Sequence, residues 1–125
     1  MRPRGNLVGL KQFQMNEKRR QLLQLDITIA DFDRMGRELD VQINAEERKT
    51  GISDINHFAY PTFAKAARLR RDNLKNSQSD LLRQRTAVEA LIAEAEAELS
   101  KAQMLQSRSG RGHDLDLGNR SATIR

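Results

Sequence analysis

Apolar residues at alternating three- and four-residue steps fill two long stretches of this chain, and one short segment between them breaks the pattern. In the first stretch Leu22, Leu25, Ile29, Phe32, Leu39 and Ile43 keep the step, and Gly36 stands at the one seam position that lacks a side chain. A seven-residue repeat of this kind is that of a helix packed lengthwise on another helix. It continues backwards through Met15, Lys11 and Val8, more weakly, because Lys11 and Lys18 occupy alternate seam positions. The spacing predicts a helix over about 7–49. Thr50-Gly51 supplies a stop, since glycine takes the left-handed conformation that ends helices at little steric cost.

Residues 51–60 mix Gly, Ser, Asp, Asn and aromatics without a sustained period, and Pro61 suits the first turn of a following helix. From there no glycine or proline appears until Gly110, and Leu74, Leu81, Val88, Ala95 and Ala102 recur every seven residues. The second helix is therefore expected over about 61–107. Its companion seam reads as Arg70, Ser77 and Gln84 before it recovers at Leu91, which makes a narrow apolar stripe. Residues 107–125 are polar, hold three glycines and show no period, so they cannot bury enough apolar area to offset the entropy of ordering. The expected fold is all-α: one domain, 1–106, forming a long antiparallel two-helix coiled-coil hairpin with its turn at about 50–60, followed by a disordered tail, 107–125.

Composition excludes the main competitors. Five aromatics in 125 residues cannot fill a compact globular core, and two prolines with seven glycines are too few for the frequent turns of an all-β fold. The absence of cysteine removes disulfides and thiolate ligands. No apolar run approaches the roughly 20 residues of a membrane-spanning helix, and the first 13 residues lack the apolar region of a signal peptide. A cytoplasmic location is expected.

Two helices of this length, each about 65 Å at 1.5 Å per residue, could fold back on each other or pair in parallel between chains. Charge separates these arrangements. Residues 1–20 carry six basic and one acidic side chain (+5), and 21–50 carry four and seven (−3). Residues 61–85 carry seven and two (+5), and 86–105 carry one and four (−3). Folding back at 51–60 sets each block against one of opposite sign, whereas a parallel in-register dimer stacks every block on its own copy.

Catalytic, metal and cofactor-binding residues are not expected. His57 and His113 are the only histidines, one in the turn and one in the tail, and neither has a nearby cysteine or a pair of carboxylates at ligand spacing. Glu46-Glu47 and Glu94, Glu96 and Glu98 lie on helices with no cavity to raise their pKa, and Gly110 and Gly112 follow no strand. Partner-binding candidates are of three kinds. Lys18-Arg19-Arg20 and Arg68, Arg70 and Arg71 form basic patches, read either as solvated faces with interhelical pairing or as docking sites for an acidic protein surface. Nucleic acid fits less well, because phosphate tracking wants a basic stripe on a compact module and here acidic blocks interrupt the positive charge. Phe58, Tyr60 and Phe63 place three of the five aromatics within six residues, either as a plug closing the hairpin or as an exposed binding hot spot.

The opening NLVGLKQFQMNEKRRQLLQL, the turn GISDINHFAYPTFAKAARLRRDNL and the stretch EALIAEAEAELSKA together resemble the FliJ family, a small coiled-coil component of the bacterial flagellar type III export apparatus. The resemblance covers about residues 6–106. It implies a non-enzymatic antiparallel stalk, similar to the central shaft of rotary ATPases, seated in the hexameric flagellar export ATPase. Such a stalk would reach the membrane export gate protein, escort export chaperones, and meet the inner membrane at the flagellar base only through these partners. No small-molecule substrate or cofactor is implied. The other class open to such a sequence is a generic scaffolding or nucleic-acid-associated coiled coil.

Overall fold

The computed structural model describes the backbone of residues 3–124 and the side chains of residues 6–110. It contains two helices, α1 (Pro3–Thr50) and α2 (Thr62–Ile124), and no strand among the described residues. The helices form an antiparallel hairpin. α1 starts earlier than the periodicity suggested, and α2 runs past residue 107. The side chains of 111–125, most of the stretch read as a disordered tail, lie outside the described residues.

The chain divides into two compact units, residues 22–87 and residues 1–21 with 88–125. In the first, Asp26 meets Arg85 at 2.5 Å, Asp40 meets Arg71 at 2.9 Å and Glu47 meets Arg68 at 2.9 Å. Numbers rise along α1 as they fall along α2, so the pairing is antiparallel. In the second unit Lys11 meets Glu98 at 2.7 Å and Arg19 meets Glu96 at 3.2 Å. In each unit basic and acidic blocks face each other as the charge count requires.

Burial traces the seam. On α1, every position of the series 8, 11, 15, 18, 22, 25, 29, 32, 36, 39, 43 and 46 is buried or half-buried. On α2, Leu74, Leu81, Val88, Ala95 and Ala102 do face inward, but the companion positions differ from the expected ones. Arg70, Ser77, Gln84 and Leu91 are exposed, and the residues that complete the seam are Arg71, Gln78, Arg85, Ile92 and Leu99. Long polar side chains can occupy such positions because their stems pack while their heads reach a partner. The Arg71 and Arg85 guanidiniums meet α1 carboxylates, and Gln78 donates to the Ile29 carbonyl at 3.3 Å.

Candidate functional site

The turn is built from local hydrogen bonds that the sequence supplies almost residue by residue. Gly51, at φ 69°, closes α1 by donating its N–H to the Glu47 carbonyl at 2.8 Å. Thr50 Oγ1 donates back to Glu46 and accepts from the Ile52 N–H at 3.2 Å. The Asp54 carboxylate accepts from the Asn56 N–H at 2.9 Å, an Asx turn, and the Asp54 carbonyl accepts from the His57 N–H at 3.0 Å. His57 Nδ1 accepts from the Ala59 N–H at 3.0 Å, and Tyr60 donates its N–H to the His57 carbonyl at 3.0 Å. Pro61 then opens α2, its carbonyl accepting from the Lys65 N–H at 3.0 Å.

Behind this loop a clasp joins both helices. The Tyr60 hydroxyl donates to Glu47 Oε2 at 2.9 Å and accepts from Arg68 Nε at 2.8 Å, while the second nitrogen of Arg68 donates to the same Glu47 oxygen at 2.9 Å. The Arg68 guanidinium, followed by the Tyr60 hydroxyl, holds the Glu47 carboxyl below its ordinary value. Glu47 and then Tyr60 hold the Arg68 guanidinium above its own. One turn further along α2, Arg71 donates to Asp40 at 2.9 Å, which raises its pKa.

The candidate residues thus separate into two groups. Tyr60 is 8% exposed, and Arg68 and Arg71 pair with α1 carboxylates within the chain. Phe58 is 97% exposed, stacked on His57 with centroids 4.7 Å apart, and Phe63 and Arg70 are also exposed. Lys18 occupies a half-buried seam position, Arg19 pairs with Glu96, and Arg20 pairs with Glu17 at 3.0 Å on its own helix. Asp40 and Glu47, absent from the sequence-based candidates, turn out to hold two of the basic ones. A carboxylate near a helix end carries no sequence mark of such a role; the corrected register of α2 reveals it for Asp40.

Among the described residues no group of three or more His, Asp or Glu side chains could hold a metal ion, and no helix is long and apolar enough to cross a membrane. What this end offers chemically is a pre-formed loop with exposed apolar side chains beside cations. Comparison with protein-family models, curated proteins and solved structures returns no match.

Proposed function

We propose that the chain is a non-enzymatic coiled-coil component of the flagellar type III export apparatus, a stalk between the export ATPase and the membrane export gate that also escorts export chaperones. The observation that carries this reading is the resemblance of residues 6–25, 51–74 and 89–102 to the FliJ family. The antiparallel pairing of α1 and α2 supports it, because that is the arrangement the resemblance implies. The seam supports it too: Lys11, Lys18, Gly36, Arg71, Gln78 and Arg85 occupy core positions, and polar seam residues limit alternative partners at the expense of stability. On this reading the chain works in the cytoplasm and reaches the inner membrane at the flagellar base through its partners.

The test is association with a purified hexameric flagellar export ATPase, followed by sedimentation across a salt series. Binding that weakens with salt, and weakens further when Arg19 and Arg20 become Ala, is the expected result. No association at any salt concentration would remove the stalk reading.

A further inference from the structure

At the turn end of residues 22–87, Ile55 of the loop and Leu69 of α2 remain 41% and 64% exposed and, with Ala66 between them, line a shallow groove edged by Thr62, Lys65 and Asp72. Ile55, on a loop held by its own hydrogen bonds, and Leu69, on a helix, cost little further ordering when a partner covers them. The charges at this end then decide the partner's sign. Each nearby carboxylate is engaged within the chain: Glu46 with Lys49, Glu47 with Arg68, Asp72 with Arg71 and Asp54 with the Asn56 N–H. Among the described residues Lys65, which lines the groove, has no such partner, nor have Arg48 and Arg70 at this end, so the unneutralised charge here is positive.

We propose that this groove docks an acidic amphipathic helix of another protein, its apolar residues seated between Ile55 and Leu69 and its carboxylates on Lys65. A bilayer fits less well, since the apolar surface is concave and among the described residues Lys65 is the one lining cation without an ion-pair partner, where anionic membranes are usually held by clusters. In helix-in-groove recognition the ligand's apolar face lies in an apolar groove; here Ile55 and Leu69 supply the apolar walls and Lys65 the flanking charge. The groove does not rest on the export reading: loss of ATPase association would leave it standing, and failure of docking would leave that reading standing.

The experiment titrates the full-length 15N-labelled chain with a designed helical peptide of about 18 residues bearing Leu at heptad positions and Glu on the flanks, and with its Lys-for-Glu counterpart. Expected is binding of the acidic peptide with amide shifts at Ile55, Lys65 and Leu69, and about tenfold weaker binding of the basic one. Leu69→Glu should weaken the acidic peptide by about tenfold with helicity unchanged, whereas Leu23→Glu, at another exposed leucine, should leave it within about twofold. Lys65→Glu should weaken it and flatten its salt dependence. Equal binding of the two peptides, indifference to Leu69→Glu, or shifts centred elsewhere would overturn the proposal. So would covering of these residues by phosphatidylserine vesicles or by a second copy of the chain in place of the peptide.

Discussion

At the scale of single residues, Tyr60 decides how the turn is held. Its hydroxyl joins Glu47 and Arg68 from the loop, so Tyr60→Phe should keep the ring packed and lose the bridge, costing about 1 kcal/mol of stability. Tyr60→Ala should cost about 3 kcal/mol or more, because a nearly buried aromatic is removed as well. Thermal unfolding followed by circular dichroism reads both; equal melting of the Phe variant and the parent would show that the hydroxyl bridge contributes nothing. Gly36 poses the opposite case. A methyl group built there meets no atom within 4 Å, and its backbone is ordinary helix, so the position does not need glycine for close approach. Gly36→Ala should therefore raise stability by about 1 kcal/mol through helix propensity alone. A fall in the melting temperature would contradict the open space on that side of the seam.

Each element shows where sequence periodicity suffices and where it does not. α1 was legible throughout, because most of its seam positions carry apolar side chains and the few exceptions keep the step. α2 was legible along one line only. On either side of Leu74 and Leu81 the competing companions are Arg70 or Arg71, Ser77 or Gln78, and Gln84 or Arg85; no apolar residue decides among them. The decision lies further on, where Val88, Ile92, Ala95, Leu99 and Ala102 are all apolar and inward, and carrying that register back brings Arg71 to Asp40 and Arg85 to Asp26. The clasp was hidden for a different reason: Glu47 alone looks like any solvated helix carboxylate, and its partners Tyr60 and Arg68 come from the loop and from α2. Reversing the Asp40–Arg71 pair tests the register. Asp40→Arg or Arg71→Asp alone should destabilise, and the double exchange should recover about 1 kcal/mol or less, as suits a pair with one half-exposed member. Acid should loosen both units. Glu47 and Glu98 are held below the ordinary value of 4.5 by Arg68 and Lys11 respectively. Their native pKa lies beneath the unfolded one, so their stabilisation is complete above about pH 4.5 and is lost as pH falls through the native values. A melting temperature that stays constant from pH 6 down to about pH 3 would contradict this.

For the whole molecule, the pattern of charge along 125 residues says more than the net value of +5. Within residues 22–87 three α1 carboxylates meet three α2 arginines, and within the other unit Lys11 and Arg19 meet Glu98 and Glu96. Exposed pairs contribute individually only about 0–1 kcal/mol, so their weight lies in choosing among arrangements: the fold-back matches signs in both units, and parallel pairing of two chains matches none. The central claim is that these contacts form within one chain. The most direct measurement is zero-length carbodiimide cross-linking of an equal mixture of 14N- and 15N-labelled chains, read by mass spectrometry. The Lys11–Glu98 contact, at 2.7 Å, should appear as a cross-link in which both peptides carry the same isotope. Cross-linked peptides of mixed isotope, or the absence of this link beside abundant others from Lys11, would contradict it.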